Sequence, residues 1–158
     1  LTAAKMQDIK LLKVESTKTK ALQLKSGQRI KLKGTVDRID QVNGKYRILD
    51  YKTGKVEPSH LKAEKDWEGF TSDYKYSKAF QVLFYTLLAE DEVSFPLNAG
   101  IISFKNLKAG FLKFQLKYNK TKGNSDISVQ VLEQFKQELD QLISEILNPE
   151  IPFLEKKV

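Results

Sequence analysis

The sequence predicts an α+β (α/β) fold, with one central mixed β-sheet flanked by helices. Segments that alternate apolar and polar residues, as half-buried strands do, fill the first third of the chain. An amphipathic helical segment follows, then two more strand-like segments and a longer amphipathic helix. This order of elements is typical of a mixed sheet on which helices pack. At 158 residues, 41% of them hydrophobic, the chain is long enough for one domain with a substantial core.

The N-terminal residues predict short strands after a helical start. Residues 1–12 are rich in helix formers, which indicates the end of a longer helix. Residues 9–15 and 19–24 have the composition of two separate short strands, and Ser26-Gly27 is a turn signal. Residues 28–39 alternate apolar and polar side chains, so we expect a half-buried strand there.

A hairpin is the clearest local prediction. Asn43-Gly44 is a strong signal for a two-residue turn, and residues 45–51 form the partner strand. Gly34 lies inside the preceding strand, which predicts the close approach of another backbone or of a ligand.

A long polar connection, residues 56–76, precedes the first amphipathic helix. Connections of this length are usually functional or mobile. It holds His60, which as a lone loop histidine is more often without a metal, and Trp67, which we expect to pack the loop down.

The first amphipathic helix is predicted over residues 79–90, with Asp73 or Ser77 as its cap. Its apolar side chains recur three and four residues apart on one face. They are Phe80, Leu83, Phe84, Leu87 and Leu88.

The C-terminal half predicts two strands and a helix. Residues 99–105 and 111–118 form the strands, joined by a loop over 106–110. Residues 127–147 form the second amphipathic helix, which Asn148-Pro149 ends.

Composition restricts the partners. The net charge of +7 suits a polyanion such as DNA, although a basic surface that only keeps the protein in solution is about equally compatible with it. There is no cysteine, which excludes a disulfide and any iron–sulfur cluster held by cysteines of this chain. The sequence shows no signal peptide and no apolar run of membrane-spanning length, so we expect a cytoplasmic protein without a membrane partner.

Three charged residues near the hairpin are candidates for a metal-dependent catalytic site. Asp50 follows the apolar pair Ile48-Leu49, and a carboxylate at the end of a buried strand needs a partner. Lys52 lies two residues further and shares its face, and a hairpin can bring Asp37 beside both. Carboxylate oxygens suit Mg²⁺ or Mn²⁺. Two such acids and a lysine are the parts needed to activate water against a phosphodiester.

Three sequence blocks carry a family resemblance. They are GTVDRID (34–40), ILDYKTGK (48–55) and QVLFY (81–85). In this order they resemble the RecB-like branch of the PD-(D/E)XK nucleases, and within it the C-terminal nuclease domain of AddB-type helicase-nucleases. The resemblance implies a restriction-endonuclease-like core and a Mg²⁺-dependent deoxyribonuclease, an exonuclease of DNA repair and recombination. Its partners would be DNA and a helicase-nuclease subunit or a helicase-like region of the same protein.

The resemblance also implies roles for individual residues. Asp37, Asp50 and Lys52 would be catalytic, and Asp37, Asp50 and the main-chain carbonyl of Tyr51 would hold Mg²⁺ or Mn²⁺. Gln81 and Tyr85, four residues apart on one helix, would position the DNA strand together with Arg38 and Lys55. For Arg38 a structural ion pair is the stronger alternative, and for Lys55 a solvated loop position is an equal one. Asp40 matches the family pattern but faces away from Asp37, and Glu15 is a weak candidate for contact with the site.

Two features depart from the family pattern. No histidine matches the upstream metal ligand of the family, and the AddB-like tail Asn148-Pro149-Glu150-Ile151-Pro152-Phe153 is not followed by cysteines. We therefore expect one nuclease-like domain over residues 1–158 that is a fragment trimmed at both ends and that has uncertain activity. The alternative function is a catalytically silent nuclease-fold module for DNA binding or assembly.

Overall fold

A five-stranded mixed sheet forms the centre of the structure, a computed structural model that describes residues 7–120 and 122–155. The strand order is β1-β2-β3-β5-β6, in which β3 and β5 run parallel and the other neighbours antiparallel. This confirms the predicted mixed sheet. Its strands are β1 (Ile9–Gln23), β2 (Arg29–Val42), β3 (Lys45–Lys52), β5 (Asn98–Ser103) and β6 (Phe111–Lys113).

A second, three-stranded sheet has the order β4-β7-β8. Its strands are β4 (Lys62–Glu64), β7 (Gln115–Lys117) and β8 (Gly123–Asn124). The prediction of one strand over residues 111–118 was therefore wrong. The side chain of Phe114 is only 1% exposed, and the chain leaves the central sheet for the second one at this residue. The alternation of apolar and polar residues continues across Phe114, so the sequence pattern does not reveal the break.

The strand β1 is also longer than predicted. Residues 9–23 form one strand of 15 residues, not two short ones, because β1 pairs with β2 along almost its whole length. A register shift between Leu11 and Lys13 and a positive φ of 45° at Glu15 bend it without ending it. In the described chain β1 is an edge strand, and Ile9, Leu11 and Val14 on it are each at least half exposed.

The predicted hairpin is confirmed. Asn43 and Gly44 both have positive φ, 50° and 81°, as a type I′ turn requires. The turn pairs Val42 with Lys45 and continues in register to Arg38 and Leu49. The register places Asp37 and Asp50 on facing stretches of β2 and β3.

Two helices pack on the sheet, α1 (Ser77–Leu88) and α2 (Val129–Leu147). The helix α1 begins two residues earlier than predicted, because Asp73 caps a 3₁₀ turn over Tyr74–Tyr76 that continues into it. Ser128 caps α2 through its hydroxyl, which accepts a hydrogen bond from the backbone of Val131. The apolar faces of both helices join the main core with Ile39, Ile48 and Ile101 of the sheet.

The long connection before α1 is ordered by packing. Trp67 and Phe70 are 6% and 3% exposed, and the indole of Trp67 donates a hydrogen bond to Gln134 of α2 (3.2 Å). Trp67 therefore packs the loop down, as the sequence predicts. His60 accepts a hydrogen bond from the backbone N–H of Glu57 through Nδ1 (3.2 Å) and caps a short 3₁₀ turn.

The region after β5 also differs from the prediction. β5 ends at Ser103, and residues Phe104–Ala109 form an exposed 3₁₀ segment in place of the predicted strand end and loop. No helix in the described residues is long and apolar enough to cross a membrane.

Candidate active site

The hairpin β2–β3 brings two carboxylates together at the end of the sheet. Continuing the register by one pair beyond Arg38 and Leu49 sets Asp37 opposite Asp50. The backbone N–H of Tyr51 donates a hydrogen bond to Oδ2 of Asp37 (2.9 Å), which fixes that carboxylate beside the third strand. The predicted convergence of Asp37 and Asp50 is therefore present in the structure.

Asp50 is buried, and its only close cation is a lysine ammonium in the described residues. Its residue exposure is 4%. The ammonium of Lys52 lies 2.9 Å from Oδ2 and forms an ion pair with it. Lys52 and Asp50 thus share a face, as the spacing of two residues along a strand predicts.

Burial raises the pKa of Asp50 above its ordinary value. Lys52 opposes this shift through a hydrogen bond and its positive charge, whereas the neighbouring carboxylate of Asp37 raises the pKa further. A buried carboxyl with an upward-shifted pKa, a like charge and a lysine beside it is a typical arrangement of a functional site.

The two carboxylates fit a divalent cation. They are neighbouring acids with one ammonium beside them, and a cation bound between Asp37 and Asp50 would favour the charged form of Asp50. No group of three or more histidine, cysteine or acidic side chains suited to a metal occurs in the residues that the structure describes. The protein ligands from this part of the chain are therefore two acids, and water, a main-chain carbonyl and phosphate oxygens would complete the coordination of a hard cation.

Glu15 lies across the sheet from Asp37. The pairs Val14–Arg38 and Ser16–Val36 enclose this position on β1 and β2, so Glu15 is the residue opposite Asp37 in register. Its side chain is exposed, and its backbone has the positive φ described above. Glu15 is near the site along the sheet but forms no metal-binding group of three acids with Asp37 and Asp50.

Asp40 forms a buried ion cluster with two arginines. It is 0% exposed and accepts hydrogen bonds from Nε of Arg38 (2.8 Å) and from Nε and Nη2 of Arg47 (both 2.8 Å). Arg47 also lies over the ring of Phe111, 5.0 Å from its centroid. Asp40 therefore holds β2 and β3 together, on the face of the sheet opposite to Asp37.

The role of Asp40 has a sequence signal. A two-residue turn at Asn43-Gly44 fixes the pairing of Asp40 with Arg47, and Arg38 lies two residues away on the same strand. The sequence interpretation placed Asp40 away from the site but did not identify Arg47 as its partner. Arg38 makes the structural ion pair expected of it, and its Nη1 donates a hydrogen bond to the hydroxyl of Tyr51 (3.3 Å).

Gln81 and Tyr85 act as a pair on α1. The amide Nε2 of Gln81 donates a hydrogen bond to the Tyr85 hydroxyl (2.9 Å), which confirms that they share a face. Side chains of α1 fill the space above Gly34, where a Cβ would lie 2.8 Å from Leu88 and 3.5 Å from Tyr85. The expected approach at Gly34 is thus made by helix side chains and not by a backbone or a ligand. The described contacts do not join Gln81 or Tyr85 directly to the carboxylates.

Lys55 lies in the exposed turn after β3. Its side chain is 68% exposed and pairs with Glu57 at 3.0 Å. A surface pair of this kind is weak, so the ammonium remains available to a phosphate.

Comparison with known families gives a match over nearly the whole chain. A sequence profile described as the PD-(D/E)XK nuclease superfamily matches residues 2–157. No curated protein matches the chain significantly.

Proposed function

Because the chain belongs to the PD-(D/E)XK nuclease superfamily, we propose that it is a metal-dependent deoxyribonuclease whose site is Asp37, Asp50 and Lys52. The observation that carries the proposal is the buried carboxyl of Asp50, which has the carboxylate of Asp37 and the ammonium of Lys52 beside it. Asp40 is one carboxylate between two arginines, whereas Asp50 and Asp37 are two neighbouring carboxylates with one lysine. This excess of negative charge favours a site that takes a cation.

The residues of the proposed site have different roles. Asp37 and Asp50, with the carbonyl of Tyr51, would hold Mg²⁺ or Mn²⁺, which when bound supplies a Lewis acid that activates water and takes up charge on the phosphate. The hydrogen bond from the Tyr51 backbone keeps Asp37 in place before any ligand arrives. Lys52 places a compact positive charge next to Asp50, where it can stabilise the additional negative charge of a pentavalent phosphate.

Other side chains position the nucleic acid in this proposal. Gln81 and Tyr85 present an amide and a phenol from α1, and Lys55 contributes a charge to a phosphate. Arg38 has its guanidinium engaged by Asp40 and Tyr51, which favours the support of the hairpin over direct contact with DNA.

The finer family assignment is also a proposal. The sequence blocks that include Asp37, Asp50 and Gln81 support a RecB-like or AddB-like nuclease domain of a cytoplasmic helicase-nuclease that acts in recombination and repair. Exonuclease action and a helicase-like partner follow from that resemblance alone.

A digestion assay tests the proposal. Linear single-stranded and double-stranded DNA labelled at one end are incubated with the protein and Mg²⁺, Mn²⁺ or EDTA. We expect cleavage that requires the metal, and a loss of at least about 100-fold in Asp50→Ala and Lys52→Ala, since each removes charge stabilisation from the reaction. Asp66→Ala is the matched control, because this exposed acid bonds only within its own loop.

The outcomes separate the two candidate functions. Undiminished cleavage by Asp50→Ala or Lys52→Ala would refute the assignment of the site. Salt-sensitive DNA binding by the wild-type protein without cleavage in any metal would instead support the silent binding module.

A further inference from the structure

A stacked aromatic pair lies at the same end of the sheet as the carboxylates. The rings of Tyr51 and Phe104 are nearly parallel, at 9°, with their centroids 5.6 Å apart. Phe104 is 53% exposed, so one side of it rests on Tyr51 and much of the rest meets solvent. Arg38 donates a hydrogen bond to the Tyr51 hydroxyl (3.3 Å), which restrains the inner ring of the pair.

The strand pairing fixes the pair close to the proposed catalytic residues. Lys52 and Ser103 are the last paired residues of the parallel strands β3 and β5, and Phe104 follows immediately. The hydroxyl of Ser103 donates a hydrogen bond to the carbonyl of Gly54 (2.6 Å), which ties the two strand ends together. Because side chains alternate along a strand, the Tyr51 ring lies on the face opposite to Asp50 and Lys52. The two sites therefore lie on opposite faces at the same end of the sheet.

The segment that begins with Phe104 is exposed and basic. Lys105, Leu107 and Lys108 are all exposed, Leu107 at 61%. In the structure as described, neither lysine makes an ion pair. A ring with a free face, followed by unpaired ammonium groups, has the two features that proteins use for unpaired nucleotides, a surface for stacking and a charge for phosphate.

We propose that the Tyr51–Phe104 pair is a platform on which one unpaired base of the DNA strand stacks, with Lys105 and Lys108 on the neighbouring phosphates. The proposal rests on the function proposed above. It specifies that the DNA bound at this end of the sheet is single-stranded or frayed. A base in the interior of a duplex has both faces covered by its neighbours, so it cannot stack on the ring. Phe104 is thus a positioning residue and does not touch the reacting atoms.

A nucleic acid is favoured over a protein partner by charge. In the exposed segment, a lysine follows each large apolar residue, and neither lysine makes an ion pair in the described part of the chain. The protein also carries a net charge of +7. An apolar protein surface would have to leave these ammonium groups unpaired, whereas phosphates neutralise them.

Binding without metal tests the platform apart from cleavage. Fluorescence anisotropy in EDTA compares a labelled single-stranded oligonucleotide with a blunt duplex of two annealed strands, which has no unpaired nucleotide. Stacking on one aromatic side chain is worth about 5- to 150-fold in affinity. We therefore expect Phe104→Ala to weaken binding of the single strand at least about 5-fold, Phe104→Trp to retain it, and neither to change binding of the duplex more than about 2-fold.

Phe153→Ala is the matched control, since Phe153 is 84% exposed in the C-terminal tail, and it should leave both affinities unchanged. A second readout needs no variant: the fluorescence of 2-aminopurine, placed in turn at each position of the single strand, should be quenched by the wild-type protein at one position more than at the others. Thermal melting of each variant shows that it is folded.

The outcomes decide between the two proposals. Equal affinity of wild type and Phe104→Ala, equal losses on single strand and duplex, or a change of oligomeric state in place of affinity would each overturn the platform. If Mg²⁺-dependent cleavage is intact in that case, the proposed nuclease function still stands. If Phe104 supports binding of the single strand but no metal gives cleavage, the platform stands and the nuclease function fails.

Discussion

At the scale of single residues, Asp50 carries a cost that its position imposes. Burial and the nearby Asp37 raise its pKa, so the native protein holds the Asp50 proton more tightly than the unfolded chain does. The contribution of this group to stability is therefore greatest below the ordinary carboxyl pKa and is lost as pH rises through the raised pKa. A cation removes the cost by favouring the charged form.

The substitution Asp50→Asn should accordingly stabilise the metal-free protein at pH 7. We expect a gain of about 1 kcal/mol, or about 2–4 °C in Tm, because the amide is not charged. The gain should shrink as the pH falls through the raised pKa of Asp50, below which the carboxyl of the wild-type protein is itself protonated. Thermal unfolding followed by circular dichroism across this pH range measures it.

The same variant tests the metal. Added Mg²⁺ should raise the Tm of the wild-type protein by ligand linkage and should have little effect on Asp50→Asn. An equal rise in both proteins would place the cation elsewhere. A lower Tm for the metal-free variant at pH 7 would contradict the cost assigned to the buried charge of Asp50.

Asp40 is the opposite case, a buried acid that accepts hydrogen bonds from two arginines. Arg47→Ala removes two hydrogen bonds from a fully buried carboxylate and the contact with Phe111, so we expect a loss of about 3 kcal/mol in the free energy of unfolding. Lys55→Ala breaks an exposed pair with Glu57 and should cost less than about 0.5 kcal/mol. Urea unfolding of both variants compares them, and equal losses would show that the cluster is not the stronger contact.

At the scale of elements, glycines set how closely neighbouring strands and helices approach each other. A Cβ on Gly100 of β5 would lie 2.0 Å from the carbonyl oxygen of Leu112 on β6, a backbone atom that cannot turn away. A Cβ on Gly34 of β2 would lie 2.8 Å from a methyl group of Leu88 on α1, which has some freedom to move. A Cβ on Gly54 would meet no atom within 4 Å.

These distances predict a graded series. Gly34→Ala should lower the free energy of unfolding by about 1–3 kcal/mol through overpacking, and Gly100→Ala should lower it more. Gly54→Ala should change it by less than about 1 kcal/mol, in either direction. Chemical denaturation of the three variants gives the order, and a loss at Gly54 as large as that at Gly100 would contradict it.

The elements also show what the sequence can predict. The turn at Asn43-Gly44 sets the register of β2 and β3, and through it the approach of Asp37 to Asp50, because a two-residue loop leaves no other pairing. The continuity of β1 and the break at Phe114 depend on which neighbour each segment meets, and periodicity contains no information about that neighbour. Phe104 was missed for the same reason, since its partner Tyr51 lies on another strand.

At the scale of the whole molecule, an ion network joins the sheet edge to both helices. Glu90, just after α1, lies 3.2 Å from Lys20 of β1 and 2.9 Å from Lys136 of α2. Lys18 of β1 is buried and pairs with Glu92 in the same turn. The three elements are more than 40 positions apart along the chain at their closest, so no local pattern in the sequence predicts the network.

Glu90→Gln should therefore weaken the whole fold. It leaves two ammonium groups at the junction without their shared carboxylate, and we expect a loss of about 1–3 kcal/mol in the free energy of unfolding. Asp91→Asn, which affects an exposed acid paired with Lys20, should have a clearly smaller effect. The comparison is made by thermal and urea unfolding, and a larger effect of Asp91→Asn would show that the network does not hold the elements together.

The exposed edge of β1 has a consequence for how copies of the protein meet. Ile9, Leu11 and Val14 form an exposed apolar stretch on this edge strand, along which another extended segment can pair with the sheet. Lys10 and Lys13 lie between them, so two molecules paired along β1 would bring like charges close together. Because salt screens this repulsion, we expect aggregation through β1 at high protein and salt concentrations.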